Sequence, residues 1–210
     1  MFRHLCFLST LFSAGLFAQT WEVGALGGFG FSNDLTVKSP AGSANASLAK
    51  GAVIGVFGGD DTYNYFSGEA RYLYRYSDLR LSSGGTSVDF AGHTHIAEGV
   101  FLFHFRPRQS RIRPFIAAGG GVSVVVGTGT ESAAQPLGKF AALTATRQTL
   151  PTADVGLGVK INLPHHLRLR LEADDYISST PNQVIAPAPG ATVKGWLNNV
   201  IAFGALSYTF

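Results

Sequence analysis

The feature that most constrains this sequence is a strict alternation of apolar and charged residues in the segment 166–176. Leucines alternate there with charged residues in the order Leu167, Arg168, Leu169, Arg170, Leu171, Glu172. Successive side chains of a β-strand point to opposite faces, whereas a helix with its longer period would scatter these residues around its circumference. The segment is therefore predicted to be a strand with one apolar and one charged face.

The same period of two recurs along the chain in segments of about ten residues. We predict eight strands, at 21–31, 51–58, 65–76, 91–105, 113–126, 151–161, 166–176 and 197–210. The connections between them are long and short in turn, beginning and ending with a long one. This pattern predicts an all-β fold, an eight-stranded antiparallel up-and-down β-barrel with turns at one end and loops at the other.

Period alone does not say which face of the barrel meets solvent, because a soluble lipocalin-like barrel alternates in the same way with its apolar face inward. Charged residues make up only 14% of the chain, against roughly 25% in soluble domains. Aromatic residues also lie near both predicted strand ends, at Tyr72, Tyr74, Tyr76, Phe101, Phe103 and Phe105. Aromatic girdles of this kind are typical of bilayer interfaces. We therefore predict a transmembrane barrel whose apolar face meets lipid.

The N-terminus has the pattern of a secretory signal peptide. A short basic start leads into the apolar stretch Leu5–Phe17, and Ala18 ends a small-residue cleavage site. The single cysteine of the chain, Cys6, lies inside this stretch. We predict a signal peptide at 1–18 and a barrel at 19–210, whose lack of thiols excludes disulfides and cysteine-based metal sites.

The non-apolar face carries charges of both signs. An eight-stranded lumen is just wide enough to be filled by side chains, and buried ions must pair, so we predict a structural ion-pair network that plugs the lumen. Its members are Glu22, Glu69, Arg71, Arg75, Glu98, His104, Asp154, Lys160, Arg168, Arg170, Glu172 and Asp174. Strand order predicts Glu98 beside Arg71 or Arg75, and neutralising it is expected to cost about 3–5 kcal/mol. A gate whose pairs exchange to open a narrow conduit is the alternative.

The closing strand has a terminal signature. It consists of the alternate residues Gly204, Leu206, Tyr208 and Phe210. This ending resembles the C-terminal signature of bacterial outer-membrane barrels, which the insertion machinery reads in that family. With the alternation and the N-terminal segment, it makes the whole mature chain similar to the OmpA-type transmembrane domain and its small single-domain relatives.

The resemblance implies an integral outer-membrane protein with periplasmic N- and C-termini and extracellular loops. Its partners would be outer-membrane lipid, the barrel-insertion machinery and an unknown extracellular molecule. Family members serve envelope integrity, adhesion, serum resistance or, occasionally, narrow pores. The chain stops at the last strand, so we expect no periplasmic peptidoglycan-binding domain.

Histidines are the main candidates for chemistry. His93 and His95 lie one strand repeat apart, a spacing that suits two ligands of one metal or a base acting on lipid, as in the palmitoyltransferase and lipid A deacylase known on similar barrels. Neither has a matched serine or an acidic orienter, which a catalytic triad needs. We interpret them as interfacial polar residues, and expect no catalytic, metal or cofactor site.

Three other motifs are assigned no chemistry. Asp60 and Asp61 provide too few oxygen ligands for calcium, which takes about six to eight. Gly119–Gly121 lies in a predicted strand without a following helix or lysine, so it is no phosphate loop, and it is expected to ease strand curvature or give room to large neighbours. His165 and His166 are expected to be solvated in a turn.

The long loops at 32–50, 77–90, 127–149 and 177–196 are the expected place of function. They are rich in Ser, Thr, Ala and Gly, and are expected to be flexible. The leading hypothesis is a structural or surface-interaction role through these loops. The alternatives are a narrow small-solute channel, a lipid-modifying enzyme and a soluble periplasmic lipocalin-like binding barrel. Scattered basic residues give no indication of nucleic-acid binding.

Overall fold

The computed structural model describes residues 20–132 and 134–210, so the predicted signal peptide at 1–18 lies outside the described residues. These residues form fifteen strands: β1 Trp21–Ser32, β2 Leu35–Ser39, β3 Gly42–Leu48, β4 Gly51–Asp60, β5 Phe66–Tyr76, β6 Leu79–Ser83, β7 Thr86–Phe90, β8 Gly92–His104, β9 Ile112–Gly127, β10 Ala141–Leu143, β11 Arg147–Asn162, β12 Leu167–Ser178, β13 Ile185–Pro187, β14 Thr192–Lys194 and β15 Leu197–Thr209. Within the described ranges, no helix has the length and apolar character needed to cross a membrane.

Eight of the strands close into an antiparallel barrel, in the order β1, β4, β5, β8, β9, β11, β12 and β15, with β15 returning to β1. Each barrel strand pairs with the barrel strands before and after it in sequence. Closure pairs the backbone of every barrel strand on both sides and leaves no edge. The predicted all-β, eight-stranded up-and-down barrel is thus confirmed. β9 and β11 are longer than predicted, at 16 residues each.

The outer wall of the barrel is apolar. In β12, Leu167, Leu169 and Leu171 are exposed, whereas the charged residues between them are buried in the interior. Other large apolar residues of the wall are exposed as well, among them Phe29, Ile54, Phe101, Ile116, Leu157 and Leu206. Each such side chain would gain about 1.5–3 kcal/mol on leaving water. This arrangement is the reverse of a soluble barrel and contradicts the lipocalin-like alternative.

The long loops are folded, unlike the flexible loops that we predict from their composition. β14, β2, β3, β6 and β7 form a five-stranded sheet in that order, and β10 pairs with β13. These seven strands and their connections, here called the loop cap, join segments of different loops. For example, β14 of the last loop pairs with β2 of the first, where Val193 lies opposite Val37.

The loop cap has its own hydrophobic core. Its buried members are Leu35, Val37, Ala44, Ala46, Leu48, Leu79, Leu81, Phe90, Leu137, Phe140, Ala141, Leu143, Val184 and Ile185, together with Val125, Leu150 and Leu197 from the barrel strands. All four long connections contribute to this cluster. Because barrel residues belong to it too, the cap core continues directly into the loop end of the barrel.

Candidate functional site: a charged lumen beneath the loop cap

The turn end of the lumen holds a cluster of ion pairs. The Lys160 ammonium and the Arg168 guanidinium each donate to Glu22 Oε2 at 2.9 Å. Arg168 also contacts Asp61, and Arg113 Nη1 lies 2.8 Å from Asp61 Oδ2. Two carboxylates are therefore shared among three cations, which come from the neighbouring strands β9, β11 and β12.

Asp61 and Arg113 are members of this cluster that the sequence analysis missed. Arg113 lies two residues before the buried Phe115 on β9 and is therefore on the same face of the strand. This alternation would have allowed Arg113 to be predicted. Asp61 follows β4, and only the folded turn brings its side chain inward. Burial raises the pKa of the Asp61 carboxyl, but Lys160, Arg168 and Arg113 outweigh burial and hold that pKa below its usual range.

His104 lies in the same end of the lumen, where its nearest polar contact is not a carboxylate. Its Nε2 is 2.9 Å from Ser67 Oγ and 3.8 Å from Asp61 Oδ1. The nearer partner is a neutral hydroxyl, so His104 contributes a hydrogen bond and packing against Phe115, whose ring centroid is 5.5 Å away.

The middle of the lumen contains two arginines and two glutamates in a ring of alternating charge. Arg170 reaches both oxygens of Glu69 at 2.7 Å and Glu172 at 3.3 Å. Arg71 reaches Glu172 at 2.6 Å and also contacts Glu69. Bidentate pairs between ionised groups are among the strongest hydrogen bonds in proteins. The Arg170 guanidinium also lies over the Phe57 ring, 4.3 Å from its centroid.

Towards the loop end, carboxylates outnumber cations. Arg71 Nη1 donates to Asp174 Oδ2 at 2.7 Å. Glu98 lies directly opposite Arg71 in the strand register, but the two side chains are 3.9 Å apart, and the Tyr176 hydroxyl donates to Glu98 Oε1 at 2.8 Å. Neither oxygen of Asp154 has a hydrogen-bond partner among the described residues. The predicted pair of Glu98 with Arg71 is therefore present but long, and Tyr176 is the closer partner of Glu98. Asp154 forms no ion pair with the described residues, unlike the prediction.

Arg75 also departs from the prediction. It donates to the side-chain oxygen of Asn199 and, at 3.0 Å, to the backbone carbonyl of Ala49. Leu73 occupies the inward position between Arg71 and Arg75 on β5, so Arg75 sits beyond the carboxylates. It belongs to a polar layer beneath the loop cap and forms no ion pair with the described residues.

Glycines make room for two of the carboxylates. A Cβ on Gly119 would overlap the Asp154 carboxylate, and a Cβ on Gly156 would overlap that of Asp174. In the strand register, Gly119 lies directly opposite Asp154, and Gly156 lies directly opposite Asp174. The glycine run therefore gives room to a charged neighbour, one of its two expected roles.

His93 and His95 lie on the outer wall near the loop end. The Tyr72 hydroxyl is 2.7 Å from His95 Nδ1, and the His93 ring stacks on Tyr74 with centroids 5.2 Å apart. Within the described part of the chain, no carboxylate hydrogen-bonds to either imidazole, and no group of three or more His, Cys, Asp or Glu side chains is arranged to hold a metal ion.

The remaining motifs lie at the turn end. Asp60 Oδ1 accepts a hydrogen bond from the Thr62 backbone N–H at 2.9 Å, whereas Asp61 faces the lumen, so the two acids diverge. His165 and His166 are exposed in the turn before β12, with φ angles of 61° and 63°. Neither pair forms a common site.

The terminal signature completes the sheet. Leu206, Tyr208 and Phe210 are exposed on the outer wall, with Gly204 in step on the same strand. The backbone of Phe210 exchanges two 3.0 Å hydrogen bonds with Trp21. The last residue is therefore part of the seam that closes the barrel.

Comparison with known proteins identifies the fold. No protein-family model matches the sequence, and no curated protein does either. Among solved structures, Neisserial surface protein A is 13% identical, with a TM-score of 0.57, and the match covers 91% of this chain and 97% of that one. The outer-membrane protein OprG from Pseudomonas aeruginosa is 11% identical, with a TM-score of 0.55 and coverage of 92% and 96%. The closed barrel and these likenesses show that the chain has the fold of the small eight-stranded outer-membrane β-barrels.

Proposed function

We propose that this chain is an integral outer-membrane protein that presents a folded loop cap at the cell surface for interaction with an extracellular partner. The observation that carries the proposal is the shared core of the cap, to which all four long connections contribute. Burying each large aliphatic side chain contributes about 1.5–3 kcal/mol. Loops that only joined strands would not need this core, whereas a binding surface needs loops held in one arrangement.

The exposed side of the loop cap is polar. A shallow cleft of about 390 Å³ is lined by Asn45 and residues 82–87, which supply hydroxyl and amide groups. Gly84 and Gly85 adopt positive φ angles at the tip of the β6–β7 hairpin beside it. A rigid surface with many hydrogen-bonding groups supports a role in recognition by contact.

The barrel itself serves as an anchor in this proposal. Bacterial outer-membrane barrels have short periplasmic turns and long extracellular loops, so both termini lie in the periplasm. Export by the signal peptide at 1–18 and recognition of the closing strand by the insertion machinery, through Gly204, Leu206, Tyr208 and Phe210, complete the assignment.

We infer that the lumen does not conduct. Side chains fill an eight-stranded barrel, the alternating ring of Arg71, Glu69, Arg170 and Glu172 crosses it, and the cap core lies above it. We also infer a role without catalysis, because the histidine pair has stacking and tyrosine partners in place of an acidic orienter.

Single cysteines test the location and orientation. Residues 19–210 contain no cysteine, so Ser87→Cys on the loop cap and Gln109→Cys in a turn each introduce one exposed thiol. We expect a membrane-impermeant maleimide to label Ser87→Cys on intact cells and Gln109→Cys only after lysis. Labelling of Gln109→Cys on intact cells, or recovery of the protein in the soluble fraction, would contradict the proposal.

Planar-bilayer recordings test the occluded lumen. We expect no conductance steps from protein whose gel mobility changes on heating, as that of a folded barrel does. Reproducible steps from such protein would favour the narrow channel instead.

A further inference from the structure

Two grooves run along the outer wall of the barrel. One lies between β4 and β5, has a volume of about 290 Å³ and is lined by Ile54, Gly55, Val56, Tyr72 and Tyr74. The other lies between β11 and β12, has a volume of about 400 Å³ and is lined by Leu157, Gly158, Val159, Leu171, Glu172 and Ala173. Because the Glu172 side chain is buried in the lumen, the outward side chains of the second groove are all apolar.

Only the first of these two grooves is bordered by the histidine pair. His95 on β8 lies directly opposite Tyr74 in the register, and its Nδ1 is 2.7 Å from the Tyr72 hydroxyl. His93 stacks on Tyr74, and the two imidazole centroids are 5.0 Å apart. Both tyrosines are also walls of the groove. The groove therefore has an apolar floor and a polar margin towards the loop end.

The Tyr72–His95 pair has a hydrogen-bond donor to spare. A neutral imidazole carries one N–H and a phenol one O–H. If the hydroxyl donates to Nδ1, the N–H is on Nε2 and is left over; if Nδ1–H donates to the hydroxyl oxygen, the phenolic O–H is left over. In both arrangements one donor remains, and in lipid surroundings an unsatisfied donor is costly.

A cation lies at the loop end of β4, one of the two strands that border this groove. Lys50 immediately precedes β4 and is exposed, with its ammonium 5.6 Å from the centroid of the Phe31 ring. Aromatic and basic residues at this level mark the boundary between hydrocarbon and headgroups. A spare donor and a cation above an apolar groove complement a lipid whose headgroup is an anionic hydrogen-bond acceptor.

We propose that the groove between β4 and β5 is a binding site for one phosphorylated lipid of the leaflet at the loop end. Its acyl chain lies between Ile54, Val56 and the two tyrosines, and a phosphate oxygen accepts the spare hydrogen bond of the Tyr72–His95 pair. The inference rests on the proposed location of the barrel in the outer membrane, and it adds a specific lipid to the general lipid contact of the outer wall.

Native mass spectrometry of the full chain in neutral detergent tests the site, with purified lipid A as the probe. Losing one hydrogen bond to a charged group lowers binding affinity by about tenfold or more. We expect the double variant Tyr72→Phe/His95→Phe to retain lipid A about tenfold less well than the unaltered chain. It keeps both aromatic rings and removes both donors, whereas either residue alone would still offer one donor. Leu157→Ala, in the second groove, is the matched control and is expected to leave retention unchanged.

Two further arms identify the headgroup chemistry. Lipid A whose phosphates have been removed is expected to bind the unaltered chain as weakly as intact lipid A binds Tyr72→Phe/His95→Phe. Inorganic phosphate alone is expected not to compete, because it has no acyl chain for the groove. Heat-modifiable gel mobility of each variant verifies that the barrel is folded.

The proposal is overturned if Tyr72→Phe/His95→Phe retains lipid A as well as the unaltered chain does, if removing the phosphates has no effect, or if inorganic phosphate competes. It is also overturned if Leu157→Ala loses as much lipid as Tyr72→Phe/His95→Phe. The cysteine-labelling experiment on cells reports membrane location independently, so failure of the lipid site and failure of the proposed location are distinguishable.

Discussion

Arg170 donates two hydrogen bonds to the Glu69 carboxylate, both with N–O distances of 2.7 Å. The two residues belong to β12 and β5, which lie opposite each other in the barrel with three strands between them on either side. The pair therefore crosses the lumen. Backbone hydrogen bonds join only neighbouring strands. The Arg170–Glu69 pair therefore connects β12 and β5, which the sheet does not hold together directly.

Glu69→Gln should destabilise the barrel strongly. The change leaves Arg170 and Arg71 buried with one carboxylate fewer, and removing one partner of a buried ion pair costs about 3–5 kcal/mol. The free energy of unfolding in detergent, from urea titration of gel mobility, measures the loss.

Asp89→Asn is the matched control for this prediction. Asp89 pairs with Arg80 through two hydrogen bonds of 2.6 and 2.8 Å, but both side chains are solvent-exposed on the loop cap. Exposed pairs contribute about 0–1 kcal/mol. Equal losses in the two variants would show that the lumen pairs are no more important than surface pairs.

Glu98→Gln should cost much less than Glu69→Gln, contrary to the expectation from sequence alone. Arg71 has a closer partner in Asp174, and a glutamine oxygen can still accept the hydrogen bond that Tyr176 donates. Because that hydrogen bond is kept and Arg71 is 3.9 Å away, a loss of at most about 1 kcal/mol is expected. The same urea titration measures this loss. A loss as large as that of Glu69→Gln would show that the Glu98–Arg71 ion pair is a main stabilising contact, as the sequence predicts.

The barrel could be predicted because each of its strands has only two faces. Once Leu169 and Leu171 are assigned to the outside, Arg170 and Glu172 between them must face the lumen. This alternation does not predict which charges meet across the lumen, because that depends on the relative shift of strands that are far apart in sequence. The predicted partner of Glu98 was correct in register but its closest contact, Tyr176, was missed for this reason.

The loop cap could not be predicted by the same means. Its strands are as short as three residues, too short for a period to be recognised. Leu35 and Val37 do alternate with polar residues, but Ser, Gly and Ala dominate the surrounding sequence and favour a loop. The stabilising contacts join different loops, such as Val37 with Val193, and no local pattern reports a contact of that separation.

The Asp61 carboxylate should make stability depend on pH in the acid range. Its pKa in the folded chain lies below the ordinary 3.8, so the unfolded chain takes up a proton first as pH falls. The stabilisation is therefore complete well above pH 3.8, and is lost as pH falls through the folded value. We expect the difference in unfolding free energy between the unaltered chain and Asp61→Asn to be constant near neutral pH and to shrink in acid.

Urea titrations of both chains from neutral to acid pH measure this difference. Asp60→Asn is the control, because that carboxylate accepts a hydrogen bond from Thr62 in the turn and has no cation partner in the part of the chain that the structure describes. A difference that stays constant or grows as pH falls would contradict the ion pairs assigned to Asp61.

Leu81→Ala should open the loop cap while the barrel stays closed. Leu81 is buried in the cap core, and truncating a buried leucine costs about 2–5 kcal/mol. Local unfolding exposes the backbone to proteases, so cleavage by trypsin after Arg80 should become much faster, with heat-modifiable mobility retained. Ser87→Ala, on the exposed strand β7, should leave the cleavage rate unchanged. Loss of the folded barrel in Leu81→Ala would show that cap and barrel unfold as one unit.

Gly156→Ala and Asp174→Ala should be strongly coupled. A Cβ on Gly156 would overlap the Asp174 carboxylate, whose Oδ2 is held by Arg71 at 2.7 Å and cannot move away without losing that contact. Overpacking of this kind costs about 1–3 kcal/mol. In an Asp174→Ala background the carboxylate is gone, and the Ala173 carbonyl oxygen, 3.0 Å from the new Cβ, is the close contact that remains. Gly156→Ala should then cost much less than in the unaltered chain. A double-mutant cycle of unfolding free energies measures the coupling, and additive losses would mean that Gly156 is required by the backbone of β11 and not by its charged neighbour.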